Sequence, residues 1–166
     1  MFHMQPNPAP QDPECDPVLG FRLSDFLPFR VNRLTEHLTG EILPIYRDLY
    51  GITRPQWRVL AHLGACGPNS ARDLVALTAL DKVQVSRAVA ELDARGWLTR
   101  AGDDRDRRVQ VLRLTEAGSD AFRTLVPLLV ARQETLLHSL SPQDRAALDQ
   151  GLNALEKALG IGCRQA

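Results

Sequence analysis

The sequence predicts a mainly helical fold carrying one small β hairpin. Apolar residues recur at helical spacing over most of the chain, and five cap signatures open helices. Strand-like character is confined to two short stretches, at residues 97–100 and 109–114. A length of 166 residues suits one cored domain with an extra helical layer, and the 44% apolar fraction is ordinary for a soluble globular protein.

Residues 1–17 hold five prolines among polar residues and read as a flexible arm. From about residue 18 to residue 50, Leu27, Val31, Leu34, Leu38, Ile42, Ile45 and Leu49 recur at spacings of three and four. One apolar stripe results. Pro28 and Pro44 each remove a backbone donor, so a kink or break is expected near one or both. The stripe is longer than a small domain needs for itself and reads in part as a surface for a partner chain.

Gly51 interrupts that pattern, and Thr53 followed by Pro55 and Gln56 opens a second helix reaching about residue 65. Trp57, Leu60, Ala61 and Leu63 supply its apolar contacts. After the Gly67-Pro68 turn, Ser70 and Asp73 approximate a capping box that starts a short helix through about Leu77. Residues 78–80 connect it to a further helix, opened by Asp81 and Gln84 and ended by Gly96. Two helices joined by so short a turn form a helix-turn-helix, a weak signal alone because any small bundle contains such turns.

The segment C-terminal to Gly96 adds the weight. The two strand-like stretches flank an arginine-loaded loop at residues 101–108, which makes a two-stranded wing directly after the last helix. Thr115 then caps a helix from about Glu116 to His138, with a bend expected at Pro127. Ser141, Pro142 and Asp144 start a final one, along which Leu148, Leu152, Leu155 and Leu159 continue an apolar stripe.

Net charge is zero, with 20 basic and 20 acidic residues, so no global excess announces a nucleic-acid partner. Between Lys82 and Arg113, however, eight basic residues face five acidic ones. At about 100° per residue, Val85, Ala88, Val89 and Leu92 cluster on one side of the helix after Asp81. Val83, Arg87 and Ala90 point nearly opposite, with Gln84, Ser86 and Glu91 on the flanks.

Such an edge can enter a major groove. Arg87 would pair with guanine, Gln84 with adenine, and Val83 and Ala90 would touch thymine methyl groups. Ser86 and Lys82 would meet phosphates, although the projection puts Lys82 nearer the buried side. The wing offers Arg105, Arg107 and Arg108 for a minor groove, with Asp106 orienting a neighbouring guanidinium. An ordinary solvated helix and hairpin tip could carry the same residues. Their adjacency favours DNA.

Other chemistries find little support. Cys15, Cys66 and Cys163 are scattered, so neither a disulfide framework nor a thiolate zinc site is expected, and Cys66 reads as a small buried hydrophobe. There is no G-x-S-x-G, glycine-rich phosphate loop or H-E-x-x-H, so neither an enzyme nor a cofactor or metal site is expected. No apolar run approaches the roughly 20 residues that span a bilayer, and the first residues lack a secretion leader. The expectation is a cytoplasmic protein without a membrane partner.

Residues 85–100 and 106–118 together resemble the MarR family of bacterial transcription regulators, through Asp106, Arg108, Leu114, Thr115 and Gly118 at fixed spacing. Residues 52–60 resemble the helix that precedes the reading head in that family, and the likeness runs from about Arg30 to Leu159. It implies a winged helix-turn-helix flanked by N- and C-terminal dimerisation helices. The flexible arm spans 1–17, the N-terminal dimerisation region 18–50, the DNA-binding domain 51–115, the C-terminal helices 116–160 and a tail 161–166.

The resemblance further implies a homodimer on double-stranded DNA with a pseudopalindromic operator, Arg108 in the minor groove and Asp106 as its orienting partner. Members commonly repress nearby genes and release DNA on binding a small aromatic or phenolic effector. Here Arg30, Arg33, His37, Trp57, Arg58 and His62 are the candidates to surround one. The alternatives are a ligand-independent regulator and a winged-helix module that binds another protein.

Overall fold

The computed structural model describes residues 21–102 and 110–160, in two compact units, one reaching Thr39 and the other beginning at Gly40. The first unit opens with a 3-10 turn at Leu23–Asp25 and enters helix α1 (Leu27–Tyr50). The helical pattern expected from about residue 18 thus becomes an α-helix only at Leu27. Phe26 is extended, and Pro28 becomes the second residue of α1, where its missing donor costs no helical bond. The stripe residues Leu27, Val31, Leu34 and Leu38 stay exposed, and Arg33 lies over the Phe29 ring at 5.7 Å. No break occurs at Pro44, which lies inside α1.

In the second unit, helix α2 (Arg54–Cys66) opens where the Thr53 N–H donates to Gln56 Oε1 at 2.6 Å. It buries Gln56, Val59, Leu60 and Leu63, while Trp57 and Ala61 are only half-buried. Cys66 is exposed, contrary to the expected buried thiol, because α2 ends there, beyond the core.

Strand β1 (Asn69–Ser70) has no counterpart in the sequence reading, since two polar residues show no alternation. It leads into helix α3 (Ala71–Thr78), where Ser70 Oγ accepts from the Asp73 N–H at 3.1 Å. Asp73 does not complete the box by reaching back. Its carboxylate takes the Ser70 hydroxyl instead, and the Ser70 N–H donates to Asn69 Oδ1. Helix α4 (Lys82–Ala94) comes next, with a reciprocal box. The Gln84 N–H donates to Asp81 Oδ1 at 2.7 Å, and the Asp81 N–H to Gln84 Oε1 at 3.1 Å.

Strands β2 (Leu98–Gly102) and β3 (Gln110–Leu114) pair antiparallel, and β1 joins the far edge of β3, giving the order β1-β3-β2. Leu98 pairs with Leu114 and Arg100 with Leu112, so the face holding Leu98 and Leu112 closes the core under α2, α3 and α4. Helix α5 (Glu116–Leu137) runs through Pro127, and helix α6 (Pro142–Leu159) starts at the Ser141 cap. Arg145 joins Glu134 bidentately at 2.8 Å, holding these two helices as a hairpin. Leu148, Leu152 and Leu159 remain exposed along α6. No helix among the described residues is long and apolar enough to cross a membrane.

Candidate nucleic-acid interface

Helix α4 has two unlike sides. Val85, Ala88, Val89 and Leu92 are at most 3% exposed, whereas Val83 is 67% exposed and Lys82, Gln84, Ser86, Arg87 and Ala90 all face solvent. Lys82 is therefore on the open side despite its place in the projection. As the first helical residue it lies past the end of the packed face. The outward edge is short-chained except for its cations, so a duplex could approach the backbone closely.

Among the described residues, the acids around α4 are hydrogen-bonded within the fold. Asp81 caps α4, Asp73 holds the Ser70 hydroxyl, Glu91 accepts from the buried Gln56 amide at 2.7 Å, and Asp93 accepts from Arg100 Nε at 3.0 Å. Among the described residues, Lys82 and Arg87 have no such partner, so the positive ends project while the acids are retained. Gln84 is less available than its position suggests. Its Oε1 caps Asp81, and a bidentate pairing with adenine would have to displace that bond.

A hollow of about 490 Å³ lies between α3, α4 and β2. Arg72, Lys82, Ser86 and Arg100 surround an apolar floor that includes Val75 and Val89. The Asp93–Arg100 pair ties the base of the wing to the last turns of α4. Both side chains are about two-fifths exposed, so the pair fixes position more than it adds stability, at about 0–1 kcal/mol. Sequence reading did not single out Arg72 and counted Arg100 only among the basic residues near the wing, because β pairing and the α3–α4 packing are what bring both beside Lys82. Arg105, Asp106, Arg107 and Arg108 lie outside the described residues.

The far end of α4 is anchored. Arg95 donates through Nη1 to the Tyr50 carbonyl at 2.7 Å and through Nη2 to the Gly51 carbonyl at 3.1 Å. Thr115 donates its hydroxyl to the Gly96 carbonyl at 2.7 Å and its N–H to the Trp97 carbonyl at 3.0 Å, while its Oγ1 also accepts from the Gly118 N–H.

The six candidate effector residues divide between the units. Arg30, Arg33 and His37 belong to the first; Trp57, Arg58 and His62 belong to the second. In the second unit, Arg58 donates to the Thr78 carbonyl and His62 lies 3.3 Å from the Asn69 amide. Trp57 stacks between Tyr46, at 5.7 Å, and Phe122, at 6.4 Å. Nothing in the sequence pattern marks Tyr46. It is fully buried, its hydroxyl has no hydrogen-bond partner, and burial raises its pKa above the usual 10.0 against the opposing pull of Arg54 and Arg58.

Comparison with known proteins gives concordant matches. A sequence model described as MarR family matches residues 50–109. The transcriptional repressor NicR of Pseudomonas putida is 30% identical over 97 residues, which make up 58% of this chain and 61% of that relative, under two thirds of its length. Among solved structures, BpsR of Bordetella bronchiseptica, whose DNA binding is regulated by 6-hydroxynicotinic acid, superposes with a TM-score of 0.70 at 25% identity. That match covers 82% of this chain and 96% of BpsR. A MarR-family transcriptional regulator from Silicibacter pomeroyi gives a TM-score of 0.72 at 27% identity, covering 84% of this chain and 98% of its own.

Proposed function

The chain belongs to the MarR family, and from that membership we propose that it is a sequence-specific transcription regulator that binds double-stranded DNA as a homodimer. The observation that carries this reading is the division of α4. One side is packed into the core, and the other is an exposed edge of Val83, Arg87 and Ala90 beside a tethered wing. Arg87 reads a guanine in the major groove, Lys82 and Ser86 bind phosphates, and Arg108, oriented by Asp106, enters the minor groove with Arg105 and Arg107 beside it. Two heads double the phosphate contacts, which compensates for the chain's lack of net positive charge.

A protein-binding head is the second reading, and it calls for a broad apolar patch on the same side of α4. Val83 is the single large exposed hydrophobe of that helix, which favours DNA.

The finer reading is a repressor of nearby genes that lets go of DNA when a small aromatic acid binds. The Tyr46–Trp57 ring stack, with the positive charges of Arg54 and Arg58 acting on it, is the feature that supports an aromatic anion near the α1–α2 junction. The relation of BpsR to 6-hydroxynicotinic acid makes that compound the first to try.

Operator titrations by fluorescence anisotropy across salt concentrations test the DNA reading. Arg108→Ala should weaken binding on every sequence and lower the salt slope, by about one per head. Arg87→Ala should relax preference at one base pair, worth about 1–3 kcal/mol. Unchanged sequence preference in Arg87→Ala removes α4 from recognition. Adding 6-hydroxynicotinic acid should release operator and quench Trp57, and an unaltered affinity would leave a regulator without that effector.

A further inference from the structure

Beyond its packed inner face, helix α4 makes its long-range polar contacts at its C-terminal end. Gln56 bonds Glu91, Arg95 spans two consecutive carbonyls at the end of α1, and Thr115 grips Gly96 and Trp97 from the start of α5. The outward polar groups of its N-terminal half have only the local cap to order them. Val85, Ala88 and Val89 seat the helix on the core, residues 91–97 are the pivot at which its angle is fixed, and the far end carries the reading edge. Its 13 residues make it about 20 Å long, so a tilt of about 10° at the pivot moves the far end by about 3 Å. That displacement is close to the rise of one base pair, about 3.4 Å.

We propose that Arg95 is a positioning residue that sets the angle of α4 by clamping its C-terminal end to the end of α1, without touching DNA itself. The Tyr50 and Gly51 carbonyls are left without helical donors where α1 stops, so a cation with two parallel donors satisfies both and complements the negative end of the helix. The guanidinium also rests on an aromatic ring. It lies 5.6 Å over the Trp97 ring, which makes a T-shaped contact with the Tyr50 ring at 5.2 Å and 85°. Gly51 turns the chain at φ +61, which presents its carbonyl beside that of Tyr50. Lysine keeps the charge and the stem but cannot span two carbonyls with one fixed fork.

The proposal rests on the reading of the chain as a dimeric DNA-binding protein. Two heads engage one operator only when their spacing matches the duplex, so loss of angular control should cost two-headed binding and leave one-headed binding alone. The test compares wild type, Arg95→Lys and Arg95→Met on a full inverted repeat, on a single half-site, and on repeats with one base pair added or removed. Each variant should bind the half-site within about twofold of wild type. Each should lose about tenfold or more on the full repeat and show a smaller penalty for altered spacing. Equal loss on both duplexes, or unchanged spacing preference, overturns the proposal.

Should Arg95→Met fail to fold by circular dichroism, Arg95→Lys carries the same comparison. A second measurement needs no DNA: a nitroxide attached to the thiol introduced by Val83→Cys, with Cys15, Cys66 and Cys163 replaced by serine, reports the distance between the two α4 helices of the dimer. The clamp predicts a narrow distribution that broadens in both variants, and identical distributions refute it. Failure of wild type to bind any duplex would instead defeat the DNA reading, while the label distances still decide the clamp.

Discussion

A Cβ added at Gly118 would sit 2.2 Å from the Trp97 carbonyl oxygen. Glycine to alanine in an exposed helix usually stabilises by about 1 kcal/mol. Here the sign should reverse, because the obstacle is backbone held by Thr115. Gly118→Ala is expected to cost about 1–3 kcal/mol and to lower the thermal midpoint by several degrees. A midpoint at or above wild type would show that the α5 start can slide. Tyr46 behaves in the opposite way. Its hydroxyl is buried without a partner, so Tyr46→Phe should leave stability unchanged or raise it by about 1 kcal/mol. A clear loss in a chemical-denaturation series would reveal a partner for that hydroxyl.

At the scale of elements, the legible part of the sequence is local. Thr53, Asp81, Thr115 and Ser141 each stand within three residues of the groups they cap, so helix starts can be read from them. The inward side of α4 comes from periodicity alone, because Val85, Ala88, Val89 and Leu92 are spaced by three and four. Long-range pairings escape such reading. Gln56 meets Glu91 across 35 positions and Arg95 meets Tyr50 across 45, and neither pair leaves a mark in the neighbouring residues. Cys66 misleads for a related reason, since its apolar surroundings in sequence say nothing of where α2 leaves the core.

The α5–α6 hairpin depends on charge as well as caps. Bonding to Arg145 lowers the Glu134 pKa below its usual 4.5. A carboxylate depressed on folding stabilises fully above its unfolded pKa, and that contribution fades as pH falls through the folded value. Acidification from neutral should therefore weaken the hairpin below about pH 4.5, and Glu134→Gln should flatten this part of the pH–stability curve. Identical curves for the two proteins would mean that the pair does not form in solution.

For the whole molecule, function rests on distribution of charge and not on its sum. A chain of zero formal charge can meet DNA when the acids beside its reading helix are turned to caps and internal bridges, as Asp81, Glu91 and Asp93 are, and Lys82 and Arg87 stand at the outer edge. The exposed leucines of α1 and α6 suit a partner copy, and two-fold pairing would turn one short half-site into a long palindromic operator. Selection of bound duplexes from a random pool tests this most directly. The account predicts enrichment of an inverted repeat whose half-site centres lie about 34–36 Å apart, or a multiple of that distance. A pool that stays random, or one enriched in a single asymmetric site, would contradict it.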